Sequence, residues 1–150
     1  MGSEPIAAFL IDHGADLNAI DKTQKAPIVY AAGRGFLPVT RLLLDKGVDV
    51  NARYGNDLTA LMWASGYSSE AGVKDVMTVI DLLLDRGARI DDQDNRGRTA
   101  LMIAAEQDHE AIVDLLLARG ADSSLRDKQG KKAGDLTSLT VLREKLAATH

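Results

Sequence analysis

Apolar and polar positions along this chain follow a long rhythm. In the stretch Asp94–Arg126 a polar turn leads into Thr99-Ala100-Leu101-Met102-Ile103-Ala104-Ala105; a second apolar run then closes on Leu115-Leu116-Leu117 and stops at Gly120. The chain copies this unit. Leucine triplets also occupy 42–44 and 82–84, and Gly14, Gly47, Gly87 and Gly120 follow apolar runs at separations of 33, 40 and 33 residues. Twelve residues past each glycine the spacing predicts the start of another helix, at Ala26, Thr59, Thr99 and Lys132. A period near 33 with two apolar helical segments per copy predicts an all-α solenoid, in which each copy buries its apolar faces against its neighbours.

The period divides the chain, as one repeat domain, into a partial repeat at 4–20, repeats at 21–53, 54–93 and 94–126, and a C-terminal capping repeat at 127–150. The first segment matches only the second helix and exit of the unit. Either it caps the array imperfectly, or preceding repeats once covered Phe9 and Leu10; truncation would leave apolar surface there and favour end-to-end self-association. The unit at 54–93 is seven residues longer than its neighbours, and the Ser and Gly residues within Tyr67–Lys74 place the extension in a loop between its helices. A tolerated extension and a recognition feature both fit this loop. In the last unit Leu136, Leu139, Leu142 and Leu146 recur at helical spacing, while Lys131, Lys132, Arg143, Glu144 and Lys145 supply the polar outer face of a cap.

Each repeated residue type has a physical role. Leucines in the triplets are expected on the inner side of each second helix, worth roughly 1.5–3 kcal/mol apiece when buried. The small pairs Ala31-Ala32, Ala64-Ser65 and Ala104-Ala105 let paired helices approach closely. The four glycines can take the left-handed conformation that ends a helix. Pro27 and Pro38 suit first helical turns, where a missing N–H is harmless, and Thr59 can cap its helix through its hydroxyl.

These residues resemble the ankyrin repeat family over about Ile6 to Leu146. The family's turn, helix-start, Ala-Ala, Leu-Leu and exit elements are matched by Asp94, Gly97, Thr99-Ala100-Leu101-Met102, Ala104-Ala105, Leu116-Leu117 and Gly120-Ala121-Asp122, and by Gly47-Val48-Asp49-Val50-Asn51-Ala52 at another exit. The resemblance implies L-shaped helix–turn–helix repeats with hairpin-like fingers, and a protein or peptide partner held in the concave groove. By position, the partner-binding candidates are Lys22, Thr23, Lys25, Gly33 and Arg34, then Asn56, Leu58 and Tyr67. Further along they are Asn95, Arg96, Arg98, Glu106 and Gln107, then Lys128, Gln129 and Lys131. Departures from the family pattern bear on finger geometry: Gln24 and Asp57 stand at turn-glycine positions, Ala26 lacks a capping hydroxyl, and Val29, Met62 and Met102 replace the helix-start histidine.

Composition narrows function further. Aromatic residues make up only 4%, so the core is aliphatic, and the chain has no cysteine for disulfides, thiolate zinc sites or thiol catalysis. A net charge of −4 gives no general pull towards nucleic acid. No apolar run approaches the roughly 20 residues that span a membrane. His13, His109 and His150 sit in no metal or catalytic pattern, and neither a phosphate loop nor a calcium loop is present, so no enzyme activity, cofactor or metal is expected. Trp63 and Tyr30 occupy equivalent first-helix positions and read as packing between repeats, with Tyr54 and Tyr67 as the better exposed aromatics. Lys22, Lys25, Arg53, Arg96, Arg98, Arg126, Lys128 and Lys131 gather in the finger segments. They are either ordinary solvated turn residues or a basic edge that would steer an acidic partner, with salt weakening it. The leading function is a non-catalytic interaction scaffold, and the alternative is a regulatory or targeting module of a longer, catalytic protein. The compartment is not fixed by the sequence; the cytoplasm is favoured, and a removed signal peptide is the alternative.

Overall fold

Four polar turns set the spacing of the helices. In each, the N–H of the first residue donates to the carbonyl of the fifth, Asp21 to Lys25, Tyr54 to Leu58, Asp94 to Arg98 and Asp127 to Lys131, at 2.9–3.0 Å. Three of these fingers are clamped by an aspartate. The Oδ1 of Asp94 accepts the N–H groups of Arg96 and Arg98 at 2.8 and 2.9 Å; that of Asp127 accepts those of Gln129 and Lys131 at 2.8 and 2.9 Å. Asp21 does the same for Thr23 and Lys25 at 2.8 and 3.2 Å. Gly97 and Gly130 turn the chain at φ of +77° and +78°, and Gln24 and Asp57 adopt the same left-handed geometry at +62°. The finger geometry therefore survives loss of glycine, at about 1–2 kcal/mol for each side chain held there. Gly55 faces Gln24 across adjacent fingers; a Cβ on Gly55 would lie 2.8 Å from that of Gln24. The glycine absent from one finger is offset by one opposite it.

The computed structural model describes residues 12–67 and 72–149. Among these residues eight α-helices follow one another: α1 (Pro27–Gly33), α2 (Leu37–Asp45), α3 (Ala60–Ser65), α4 (Val73–Asp85), α5 (Ala100–Glu106), α6 (Glu110–Ala118), α7 (Ala133–Leu136) and α8 (Thr140–Ala147). The expectations for Phe9 and Leu10, and for the insertion at 68–71, lie outside the described residues. Thr59 and Thr99 cap α3 and α5 by accepting the N–H of Met62 and Met102, whereas Ala26 offers α1 no side-chain cap.

First helices α1, α3, α5 and α7 pack in one layer and second helices α2, α4 and α6 in another. The core lies between them. Met62, Leu61, Ile28, Leu101 and Met102 from the first layer meet Leu43, Val76, Ile80, Leu83, Ile112 and Leu116 from the second, all at 2% exposure or less. Within each leucine triplet the central residue is the most deeply buried, so the three leucines are not equivalent. The small pairs are buried as expected, and Ser65 satisfies its hydroxyl on Leu61 O at 2.8 Å. Helices α2, α4 and α6 end alike. Gly47, Gly87 and Gly120 sit at φ of +92° to +94°, and the following N–H reaches back to Leu43, Leu83 and Leu116 at 3.0–3.1 Å.

Two expectations about length need correcting. The extension of 54–93 is not all loop: Val73 and Lys74 are already helical, and α4 has 13 residues against nine in α2 and α6. Nor do the C-terminal leucines form one helix. Asp108 accepts Thr137 Oγ1 at 2.6 Å, Ser138 N at 3.0 Å and the Ser138 hydroxyl, which breaks the chain between α7 and α8. Leu142 and Leu146 are buried, but Leu139 is left 38% exposed.

Candidate partner-binding surface

The fingers and first helices share one face, and two adjoining cavities open on it. The first, about 260 Å³, is lined by Lys25, Val29, Tyr30, Gly33, Arg34, Trp63, Gly66 and Tyr67. The second, about 180 Å³, shares Trp63 and Gly66 and continues to Leu58, Met62, Arg96, Ile103, Glu106 and Gln107. Gly66 lines both, and a Cβ there would stand 2.9 Å from Ile103 Cγ2. Sequence position thus brought together Lys25, Gly33, Arg34 and Tyr67 at one cavity, and Leu58, Arg96, Glu106 and Gln107 at the other. Lys22, Thr23, Asn56, Asn95, Lys128, Gln129 and Lys131 lie exposed on the fingers, outside both cavities.

Tyr30 and Trp63 belong to this surface as well as to the packing first assigned to them. Tyr30 is 43% exposed, and its hydroxyl donates to Asp21 Oδ2; that bond, with one from Thr23, holds the Asp21 carboxyl well below the usual range. The Lys25 ammonium lies 4.8 Å from the Trp63 ring centroid and 5.6 Å from that of Tyr30, a cation–π arrangement. Tyr67 is half-buried and stacks on His109 with centroids 4.2 Å apart. His109 Nδ1 lies 3.1 Å from Ser65 O, and since a carbonyl only accepts, the imidazole donates there. Tyr54, expected to be exposed, is 9% exposed; burial, with Asp49 adding to it, pushes its phenol up. Val29, Met62 and Met102 turn inward at 1–2% exposure, so the next residue of each first helix, Tyr30, Trp63 or Ile103, faces the cavities.

The basic edge is smaller than the sequence suggested. Arg98 is 9% exposed and lies behind the surface, its guanidinium paired with Glu106 and, at 3.4 Å, with Asp127. Burial pulls its pKa down, but Glu106 and Asp127 outweigh that, and the net shift is upward. The Arg98 charge is thus engaged inside the protein by two carboxylates. Arg53 donates to Asp57 O at 3.0 Å and Gln93 O at 2.7 Å, Arg126 to Gly130 O at 2.7 Å, and Arg96 to Asp94 Oδ2 at 2.9 Å. Four of the eight finger cations thus hold the fingers together.

Among the described residues no group of three or more His, Cys, Asp or Glu could hold a metal ion, and no helix is long and apolar enough to cross a membrane. Paired helices in two layers, joined by a hairpin-like turn at each step, define a helical repeat solenoid with a finger-lined face. A family model described as ankyrin repeats (three copies) matches residues 1–77 and 55–127, and the chain belongs to the ankyrin repeat family. Ankyrin repeats are generally protein–protein interaction modules and typically lack catalysis. No curated protein matches the chain significantly.

Proposed function

We propose that this chain is a non-catalytic scaffold that binds a protein partner on its concave side, through the fingers and first helices. One observation carries the reading: two adjoining cavities that share Trp63 and Gly66 extend from Tyr30 to Gln107, with aromatic and polar lining. Aromatic side chains that stay partly open on a rigid face are the usual anchors of an interface, since they bring contact area at little entropic loss. Affinity capture from the source organism tests it. Tyr30→Ala combined with Tyr67→Ala should remove the captured partner, while an Arg41→Ala/Lys74→Ala variant on the second-helix side keeps it, with circular dichroism confirming both folds. Loss confined to the second-helix variant would move the binding surface to the other layer.

A further inference from the structure

The repeats carry an internal comparison that points to the chemistry of the partner. Lys25, Leu58 and Arg98 occupy the same position in successive repeats, at intervals of 33 and 40 residues. Arg98 is neutralised by Glu106, eight residues on, and by Asp127 at the start of the next finger. Leu58 needs no counterion. Lys25 is the exception: the residue eight positions on is Gly33, and the residue at the start of the next finger is Tyr54. Both carboxylates that serve Arg98 are missing around Lys25. Among the described residues its ammonium makes no ion pair, and only the faces of Trp63 and Tyr30 attend it.

The cavity at Lys25 is lined by Gly33, so the position filled by Glu106 in the sister repeat is here part of an open cleft. Arg34, exposed and also without a carboxylate among the described residues, adds a second cation at the rim. Asp21 is the nearby opposing charge, and its oxygens are already engaged by Thr23, by the Lys25 N–H and by the Tyr30 hydroxyl. We propose that the partner presents an acidic peptide segment, in which an Asp or Glu side chain docks on Lys25 in the place of the missing carboxylate. An adjoining bulky apolar side chain then lies against Trp63 and Ile103 in the second cavity. An additional cation on the aromatic walls is disfavoured because Lys25 already occupies them. This inference rests on the groove reading and specifies its ligand.

Two measurements test it, and the first needs no partner. Gly33 has a negative φ, and a Cβ there meets nothing closer than Trp63 O at 3.8 Å, so a side chain is accommodated. Gly33→Glu should raise the melting temperature more than Gly33→Gln, and Lys25→Met should erase that difference. Equal melts for the two Gly33 variants would overturn the carboxylate site. In the second, a library of randomised linear peptides displayed on phage is selected against the protein. Trp63, the sole tryptophan, reports occupancy by its fluorescence. Enriched peptides should pair Asp or Glu with a bulky apolar residue, change Trp63 emission, and lose about tenfold or more in affinity with Lys25→Met or Gly33→Glu; a tenfold change corresponds to about 1.4 kcal/mol. Peptides that change Trp63 emission but are basic, or indifferent to Lys25→Met, overturn the acidic ligand and leave the groove standing. Peptides that bind without touching Trp63, or no enrichment at all, overturn the groove reading together with the inference.

Discussion

Replacing Arg98 by methionine measures what its ion pairs inside the protein contribute to stability. The side chain is 11% exposed, its partner Asp127 is 1% exposed, and the two are 3.4 Å apart. At an effective dielectric constant of 20 their attraction is about 5 kcal/mol before desolvation is subtracted. Removing one member of a buried pair generally costs about 3–5 kcal/mol, since the other charge is left without its partner. Asp127 still accepts two backbone N–H groups at 2.8 and 2.9 Å. The expected loss therefore falls at or just below the bottom of that range, about 2–3 kcal/mol, or about 5–10 °C in melting temperature for a chain of this size. Arg96→Met is the control. Its side chain is 52% exposed, and its buried partner Asp94 keeps the N–H groups of Arg96 and Arg98, so its loss should be smaller, about 1 kcal/mol. Thermal melts followed by circular dichroism at pH 7 measure both. The sign with pH gives a second check. The Asp127 carboxyl is held below its ordinary range by the Lys131 N–H first, then by Gln129 and Arg98 against the opposing effect of burial. A depressed carboxyl contributes stability that is present above its unfolded pKa and lost as pH falls through the folded one. The Arg98→Met deficit should therefore shrink on acidification. A deficit no larger than that of Arg96→Met, or one constant from neutral to acid pH, would refute the assignment.

Glycine substitutions distinguish conformational strain from steric conflict. Gly120→Ala meets nothing within 4 Å at φ +92° and should lose about 1–2 kcal/mol. Gly97→Ala should lose more, because its Cβ would stand 2.9 Å from Lys128 N and 3.2 Å from Asp127 Cα; equal melts would show that the next finger yields freely. Leu83→Ala, at a fully buried site, should lose about 2–5 kcal/mol in denaturant unfolding. Acid titration should unfold Asp108→Asn and the parent protein at more similar stabilities than at neutral pH. The Asp108 carboxyl is held low by Ser138 and Thr137, so its contribution disappears as pH falls through that depressed pKa; a gap that widens in acid would contradict this.

The fold was legible because its signals are local and repeated. Helix starts at Ala26, Thr59, Thr99 and Lys132, leucine triplets and helix-ending glycines recur in register, and every copy reinforces the reading. What failed depended on single contacts. Leu139 kept helical spacing with its neighbours, yet Asp108, about 30 residues away, captures Thr137 and Ser138 and takes the chain out of helix. Periodicity also gave finger residues a common role when their surroundings differ. Lys25 and Arg98 are equivalent by position, and only the identities of Gly33 and Glu106, and of Tyr54 and Asp127, decide which cation is consumed inside the protein. Those identities were present in the sequence, but their meaning requires knowing that positions eight and 29 residues further on converge on the same side chain. In a repeat protein the contacts of one copy can therefore serve as the map for equivalent positions in another. The departure of one copy from its sister at those converging positions shows which charges are left without a counterion, which charge counted along the chain does not.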